Sequence, residues 1–265
     1  MVTARKRFGQ HFLTAEWARK VVGVIAPAPH DVFLEIGPGT GALTKPLAAS
    51  AKEVVAVEID RDLATELASQ VPGNVSIVTG NFLDIDAESL VRETAPADGL
   101  RVAGNLPYNV SSPILFRLIE LHQRTRLLRD ATVMLQREVV ERLTARPGTR
   151  DYGVLTVFVR RLADVEPLLT LPPGAFRPAP KVFSAVARLR FTEPKVALPR
   201  PDLFERLVKT IFSQRRKTLA NALKPLCPGP GAATALVARA GIDSRRRPGT
   251  LDLPELAALT ALLGS

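Results

Sequence analysis

The amino-acid sequence predicts an α/β fold, with a mainly parallel sheet covered by helices, followed by a small all-helical domain. Three observations support this prediction. Short apolar runs alternate with segments of helical period as far as about residue 191, a glycine-rich turn follows the first run, and everything beyond residue 202 has helical spacing. Strands that alternate with helices form parallel sheets covered on both faces. We therefore predict two domains, at residues 1–191 and 192–265.

The predicted strands are short runs rich in Val, Ile, Leu and Ala. They comprise residues 32–36, 54–58, 75–78, 100–104 and 131–135, with 155–159 and 185–191 as later edge strands. Helices are predicted at residues 42–51, 62–70 and 113–121, and a Pro-rich loop at 171–181. Prolines at 194, 199 and 201 mark a linker between the two domains.

Charge is distributed unevenly along the 265 residues, whose net charge is +10. Residues 31–110 hold 5 Lys or Arg against 12 Asp or Glu, a net of −7, so the remainder of the chain carries +17. This segregation favours an acidic module that binds a small molecule, within basic surroundings that contact a polyanion such as nucleic acid. The alternative is a basic surface that is simply solvated.

Several classes of protein are disfavoured by the sequence. The basic residues 1–9 run into no apolar segment, so we predict no signal peptide, and no stretch approaches the roughly 18 apolar residues of a membrane span. Cys227 is the single cysteine, which excludes a disulfide framework and a multi-cysteine zinc site. We expect a cytoplasmic protein with no membrane partner and no metal.

The first motif with chemical content is the turn Glu35-Ile36-Gly37-Pro38-Gly39-Thr40-Gly41, after the first predicted strand. Glycines at such a turn let a ligand approach the backbone closely. Glu58, at the end of the second strand, is placed to accept hydrogen bonds from ribose hydroxyls. Together they predict a Rossmann-like sheet that binds an adenosine-containing ligand. The glycine spacing also satisfies a loose dinucleotide pattern, so NAD and S-adenosylmethionine both remain open at this point.

The second motif is Asn105-Leu106-Pro107-Tyr108, after the fourth predicted strand. The Asn105 side-chain oxygen and the Leu106 carbonyl can accept the two N–H groups of an exocyclic amine, and Tyr108 offers a ring for stacking. Pro107 narrows the backbone choices of Leu106 and adds no donor. Such an arrangement favours methyl transfer, an in-line displacement that needs alignment more than acid or base groups. None of the three histidines is predicted at a strand end facing the glycine turn, which disfavours an NAD-linked oxidoreductase.

With these motifs the chain resembles the ribosomal RNA adenine N6-dimethyltransferases, most closely the bacterial KsgA type, from Arg5 almost to the C-terminus. The resemblance implies a class I S-adenosylmethionine-dependent methyltransferase sheet, with S-adenosyl-L-methionine as cofactor. It implies that Asn81, with Asp84 as a second candidate, contacts the adenine amine of the cofactor, and that His11 stands where the family more usually has Asn. The implied cofactor-binding residues are His11, Leu13, Glu35, Gly37, Gly39, Gly41, Glu58, Asn81 and Asn105.

The resemblance also implies a second aromatic residue at the site. Phe176 begins the segment Phe176-Arg177-Pro178-Ala179-Pro180-Lys181-Val182, which is similar to a family loop whose aromatic residue closes on the flipped target base opposite Tyr108. From the residues alone, Phe176 fits an ordinary core position equally well. The implied catalytic residues are Asn105, Leu106, Pro107, Tyr108 and Phe176.

Basic runs supply the predicted RNA contacts. The segment 211–223 resembles that of enzymes acting on small-subunit rRNA, and its three consecutive cations can neutralise phosphates and set the register. Solvated helix faces are the alternative for each run. The predicted RNA-binding residues are Arg5, Lys6, Arg7, Arg215, Arg216, Lys217, Arg245, Arg246 and Arg247.

The implied reaction is double methylation of N6 on two adjacent adenosines near the 3′ end of 16S rRNA, within an immature small ribosomal subunit, by a monomeric enzyme. Two alternatives share the fold: a macrolide-resistance-type 23S rRNA methyltransferase and a non-catalytic ribosome-assembly or transcription factor. A DNA adenine methylase is disfavoured, because its tetrapeptide usually begins with Asp where this chain has Asn105.

Overall fold

The computed structural model describes residues 10–264, which divide into two compact units. Unit 1 contains the chain up to Val140 together with Leu162–Phe191, and unit 2 contains Glu141–Arg161 and the chain from Thr192 onward. Residues 141–161, which the sequence analysis assigned to the first domain, therefore belong to the second unit. No helix within the described residues is long and apolar enough to cross a membrane.

Unit 1 is built on alternating strands and helices. Its strands are β1 (Phe12–Leu13), β2 (Val32–Ile36), β3 (Glu53–Glu58), β4 (Val75–Thr79), β5 (Leu100–Asn105), β6 (Leu128–Gln136), β7 (Ala163–Leu171), β8 (Phe176–Arg177) and β9 (Ser184–Phe191). Its helices are α1 (Ala15–Ile25), α2 (Thr44–Ala48), α3 (Arg61–Ala68), α4 (Ala87–Thr94) and α5 (Ser111–Thr125). Helix α6 (Arg137–Thr144) begins in unit 1 and helix α7 (Val154–Leu162) ends there.

Seven strands form one sheet in the order β4-β3-β2-β5-β6-β9-β7. The first five are parallel, and β9 and β7 are antiparallel additions. Strands β2 and β5, although distant in sequence, are neighbours, so the chain crosses over between them. In open α/β sheets a ligand binds outside the carboxyl ends of the strands at such a crossover. Gly104 allows the close approach of these two strands, since a Cβ there would lie 2.6 Å from the Ile36 carbonyl oxygen.

A buried ion-pair network stabilises the sheet at the amino ends of its parallel strands, away from their carboxyl ends. The guanidinium of Arg101, at the start of β5, donates to Asp31 at 2.6 Å and to Asp130 at 3.0 Å. It also donates to the carbonyls of Ile25 and Ala26 at the end of α1. Burial opposes the ionisation of Asp31, but hydrogen bonds from its neighbours outweigh burial and hold the pKa of Asp31 below its usual range. The network leaves the carboxyl ends of the strands free for a site.

Unit 2 is helical, with its own apolar core. It contains the second half of α6 and nearly all of α7, followed by α8 (Pro201–Ser213), α9 (Leu219–Leu223), α10 (Ala232–Arg239) and α11 (Leu253–Leu263). Helix α11 begins with a capping box, in which the Asp252 side chain accepts from Glu255 N and the Glu255 side chain accepts from Asp252 N. The core includes Phe204, Leu207 and Leu256, all buried.

Two of the predicted strands differ in the structure. Residues 155–159, predicted as an edge strand, lie in helix α7. Their β-branched composition favours a strand, but burial of Val157 in the unit 2 core and a 2.6 Å bond from the Thr156 hydroxyl to the Arg142 carbonyl hold them as a helix. Strand β9, the predicted edge strand at 185–191, is internal, between β6 and β7.

Candidate active site

A cavity opens at the carboxyl ends of β2, β3 and β5. It is lined by residues 10–13, 35, 37–40, 42–43, 58–59 and 105–108. The structure thus brings together the glycine turn, the strand-end Glu58 and the Asn-Leu-Pro-Tyr tetrapeptide, which are far apart in sequence. The N-terminal strand β1 closes one side of the cavity, and it is held there by antiparallel pairing with β8.

The glycine turn is joined to Glu58 by backbone hydrogen bonds. Gly39 N donates to Glu58 Oε2 and Asp60 N donates to Glu58 Oε1, each at 2.9 Å. Gly39 has φ +57, and a Cβ at this position would lie 3.1 Å from the ring of Phe12. A side chain is therefore disfavoured by both conformation and space. A carboxylate offers about four acceptor positions, so Glu58 retains capacity for a ligand's hydroxyl groups.

Glu35 has the most strongly shifted pKa among the side chains that line the cavity. It is buried, and its Oε2 atom has no hydrogen-bond partner among the described residues. Burial raises the pKa of Glu35 to about 8, opposed by the Thr44 hydroxyl and reinforced by the nearby Glu58 carboxylate. A buried, unpartnered carboxyl oxygen is costly unless a donor or a positive charge reaches it. The wall of the cavity therefore fits a ligand that carries an amino group or a cation.

The raised pKa of Glu35 makes the stability of the ligand-free protein depend on pH. The folded state keeps a proton that the unfolded chain releases above about pH 4.5, so the free energy of unfolding falls between about pH 4.5 and pH 8. We expect Glu35→Gln to raise Tm at pH 8.5 by clearly more than at pH 5, measured by thermal unfolding at both pH values. The exposed Glu93→Gln should show the same difference from wild type at each pH. A pH-independent effect of Glu35→Gln would contradict the assignment.

Asn105 ends strand β5 with its amide orientation determined by a neighbour. Its Nδ2 donates to the His11 carbonyl oxygen at 2.7 Å. A carbonyl only accepts, so the NH₂ group must face His11 and the Oδ1 atom must be turned away from it. Among residues 10–264 no donor bonds to Asn105 Oδ1 or to the Leu106 carbonyl, while Leu106 N donates to Met134 O at 3.2 Å. Two acceptors at the cavity are thus available to a ligand.

Tyr108 is held by contacts on its hydroxyl and its ring. The hydroxyl lies 2.5 Å from Ser184 Oγ, on β9, and the ring stacks on His11 with centroids 5.6 Å apart. His11 is fixed in turn, since its Nδ1 lies 2.7 Å from the Pro178 carbonyl and must donate to it. Burial raises the pKa of Tyr108, so the phenol is neutral at physiological pH. The hydrogen bond to Ser184 and the stacking on His11 therefore position the ring of a neutral Tyr108.

Replacing Tyr108 by Phe tests this positioning role. We expect a lower Tm, because the buried Ser184 hydroxyl loses its partner at a cost of about 1–3 kcal/mol. For the methyl transfer that the family resemblance implies, we expect kcat to stay within a few-fold of wild type, because the ring remains. Thermal unfolding measures the first effect, and methyl-transfer kinetics measure the second. Tyr152→Phe in unit 2 is the matched control, since no hydrogen bond of its hydroxyl is found in the described part of the chain. A hundredfold loss of kcat in Tyr108→Phe would show a chemical role for the phenol.

The structure contradicts the predicted position of the Phe176 ring at the site. Phe176 is fully buried, packed in a core cluster that includes Leu13, Met134 and Leu171. Its backbone pairs with Leu13 across the β1–β8 ladder, which directs the ring into the core. No ring face is exposed to a base, and Phe176 instead supports the strand that lines the cavity.

Two of the predicted cofactor residues do not line the cavity. Asn81 Nδ2 donates to Asp84 Oδ2 at 2.7 Å and its Oδ1 accepts from Leu83 N, so the amide closes a local turn. Its contact with a cofactor stays a prediction. Gly41 shapes the turn from behind, because a Cβ there would lie 2.5 Å from the Leu67 side chain.

Residues that line or support the site but were not predicted from the sequence include Ile59, Ser184 and Pro178. Ile59, which is 43% exposed, lines the cavity beside Glu58. The sequence could have indicated Ile59, since a large apolar residue directly after a strand-end carboxylate can pack against the apolar part of a bound ligand. Ser184 and the Pro178 carbonyl, which hold Tyr108 and His11, depend on long-range packing that no local pattern reveals.

Two of the predicted RNA-contacting runs meet in unit 2. Leu219 N donates to the Arg246 carbonyl at 2.7 Å, which places residues 215–217 beside residues 245–247. Arg216, Arg245 and Arg247 are exposed, and no side-chain hydrogen bond or ion pair of theirs is found among residues 10–264. These three cations are free to meet phosphates. The predicted Arg5, Lys6 and Arg7 lie outside the described residues.

Other members of these runs make side-chain contacts within unit 2. Arg246 donates to both carboxyl oxygens of Glu255 and to the Thr250 carbonyl, and this bonding lowers the pKa of Glu255. Its guanidinium pairs with the first turn of α11, and RNA binding by Arg246 stays a prediction. Arg215 is half-buried against Gly249 and Thr149, and Lys217 donates to Gln214 Oε1 at 2.8 Å. No group of three metal-ligating side chains occurs within the described ranges.

The chain is similar to known proteins over almost its whole length. A model of the ribosomal RNA adenine dimethylase family matches residues 1–251. Proteins named ribosomal RNA small subunit methyltransferase A are similar to the whole chain: 45% identity to that of Nitrosococcus oceani, over 97% of this chain and 95% of that protein, and 43% to that of Thiobacillus denitrificans, over 100% of both.

Two solved structures are similar over nearly the whole chain. A dimethyladenosine transferase from Plasmodium falciparum has a TM-score of 0.77 at 25% identity, covering 94% of this chain and 96% of that one. The 23S rRNA methyltransferase ErmE has a TM-score of 0.67 at 26% identity, covering 96% and 100%.

Proposed function

Because the chain belongs to the ribosomal RNA adenine dimethylase family, we propose that it transfers methyl groups from S-adenosylmethionine to N6 of two adjacent adenosines near the 3′ end of 16S rRNA. Each adenosine receives two methyl groups. The observation that best supports this proposal is the pair of free acceptors, Asn105 Oδ1 and the Leu106 carbonyl, beside the glycine-turn cavity.

The cavity fits S-adenosylmethionine in its donor and acceptor groups. When bound, S-adenosylmethionine supplies an electrophilic methyl group on a positively charged sulfur. The unpartnered Glu35 oxygen suits the positive charge and amino group of the ligand, and Glu58 has acceptor capacity left for ribose hydroxyls. The exposed part of Ile59 offers apolar surface to an adenine ring, and the glycine backbone permits close approach.

The tetrapeptide then acts on the adenine amine. An aromatic amine is a poor nucleophile, because its lone pair is delocalised into the ring. In the first transfer, acceptance of its two N–H groups by Asn105 Oδ1 and Leu106 O favours the more tetrahedral form, whose lone pair can point at the methyl carbon; in the second transfer one N–H remains to be accepted. With the cofactor bound, the nitrogen lone pair would form the new bond to the methyl carbon while the carbon–sulfur bond breaks and its electron pair stays on the departing, neutral sulfur. The cationic amine product would then lose an N–H proton to water. Alignment of this kind is worth many kcal/mol in a displacement reaction.

The substrate is proposed as 16S rRNA within an immature small subunit, methylated by a monomer in the cytoplasm. The high identity to proteins named for the small subunit supports this choice, as do the exposed cations Arg216, Arg245 and Arg247. The similarity to a 23S rRNA methyltransferase favours one second candidate, a large-subunit enzyme.

One experiment separates these candidates. The protein is given labelled S-adenosylmethionine with small or large subunits from a strain that lacks the modification, and the digested RNA is analysed. We expect N6,N6-dimethyladenosine in 16S rRNA only. Label confined to 23S rRNA would favour the second candidate, and no transfer to either would overturn the proposal.

A further inference from the structure

Phe183 is an exposed aromatic side chain beside the candidate active site. It is 46% exposed, and the preceding Val182 is 42% exposed. The next residue, Ser184, is fully buried and bonds the Tyr108 hydroxyl. Because Ser184 pairs with Gln136 at the carboxyl end of β6, Phe183 lies at the same edge of the sheet as Asn105. It does not line the cavity itself.

The ring of Phe183 is anchored on one side by Arg137. The guanidinium carbon of Arg137 lies 5.5 Å from the ring centroid, and Arg137 N donates to the Phe183 carbonyl at 3.0 Å. A cation over one face holds the ring by its quadrupole and leaves the rest of the aromatic surface to another partner. Exposed Arg177 and Lys181 precede the ring, and residues 172–190 contain no acidic residue. The segment that carries Phe183 is therefore positively charged, which favours a polyanion.

We propose that Phe183, backed by Arg137, is a stacking platform for the nucleobase that flanks the target adenosine in the RNA. This inference rests on the proposed function. An adenine held at Asn105 must leave the RNA stack, and its neighbour then loses a stacking partner. An aromatic ring at the rim of the site replaces that partner without reading sequence, because every base has a π-face. Phe176, buried in the core, presents no ring face for this role.

The test compares Phe183→Leu and Phe183→Trp with wild type on small subunits that lack the modification. Leucine keeps apolar bulk but has no ring, so we expect KM for the RNA to rise about 5- to 150-fold with kcat nearly unchanged. Tryptophan should keep KM near wild type. Val182→Ala, at an equally exposed neighbour, is the matched control and should leave both constants unchanged. Affinity for S-adenosylmethionine and Tm should be unaffected in all variants.

Failures of the two proposals are distinguishable. Wild type that methylates small subunits, together with Phe183→Leu of unchanged KM, overturns the platform and leaves the proposed function intact. Equal losses in the Leu and Trp variants also overturn it, since a ring would then not be the required feature. Wild type that methylates no small-subunit RNA overturns both.

Discussion

Replacing Asn105 by alanine is expected to lower kcat for methyl transfer by about 10²-fold or more, with affinity for S-adenosylmethionine largely retained. The amide has two roles in the proposed mechanism. Its Nδ2 bonds the His11 carbonyl at 2.7 Å, and its Oδ1 is left to accept an N–H of the target amine. Alanine removes the acceptor at the reacting centre, whereas Glu35, Glu58 and the glycine turn remain. Single-turnover methylation and equilibrium cofactor binding measure the two effects separately.

Asn109→Ala is the matched control, because Asn109 is an exposed asparagine in the same loop. It should leave kcat unchanged. Asn105→Asp adds a second comparison: it keeps an acceptor oxygen but loses the donor to His11 O, so the side chain is no longer oriented. We expect Asn105→Asp to be nearly as impaired as Asn105→Ala. Normal turnover in Asn105→Ala would remove Asn105 from the proposed mechanism, and normal turnover in Asn105→Asp would show that the bond to the His11 carbonyl is not required.

The sequence predicted the parallel part of the sheet well, because each strand there is a local apolar run ended by a turn. Strands β2, β3, β4, β5 and β6 all lie at or within a few residues of their predicted positions. The prediction of a strand at residues 155–159 was wrong for a physical reason. Val, Leu and Phe favour a strand locally, but tertiary packing in unit 2 stabilises α7. The assignment of residues 141–161 to the first domain failed with it.

The part of the candidate site that could be predicted from the sequence is the part formed by motifs at strand ends. Gly39, Glu58 and Asn105 meet because parallel strands present their carboxyl ends at one edge. Burial of single side chains could not be predicted in the same way. Phe176 and Arg246 lie in segments whose composition suits a surface role, yet the β1–β8 pairing buries one and Glu255 engages the other. Long-range partners such as Glu255 determine which cations of a basic run remain available to bind phosphate.

The combined substitution of Arg216, Arg245 and Arg247 by alanine is expected to weaken RNA binding and to reduce its salt dependence. Each phosphate contact contributes about 0.7–0.9 to the slope of log K against log salt, so three lost contacts should lower the slope by about 2–3. The three side chains are exposed, and the bond from Leu219 N to Arg246 O brings their two segments together. Binding titrations of small subunits at several salt concentrations give the slope.

Arg246→Ala is the matched control, because Arg246 lies between Arg245 and Arg247 in the sequence. It tests whether the loss of any positive charge in this run lowers the salt slope, or only the loss of a side chain that contacts phosphate. Its guanidinium is held by Glu255 and Thr250, so its loss should lower Tm and leave the salt slope unchanged. A triple variant with an unaltered slope would mean that the exposed cations are only solvated. An Arg246→Ala slope lowered as much as one third of the triple effect would mean that the Glu255 pair opens on binding. The first result would move the RNA-binding surface elsewhere and the second would add Arg246 to it, because the salt slope counts the phosphates that are contacted and not the positive charges on the protein.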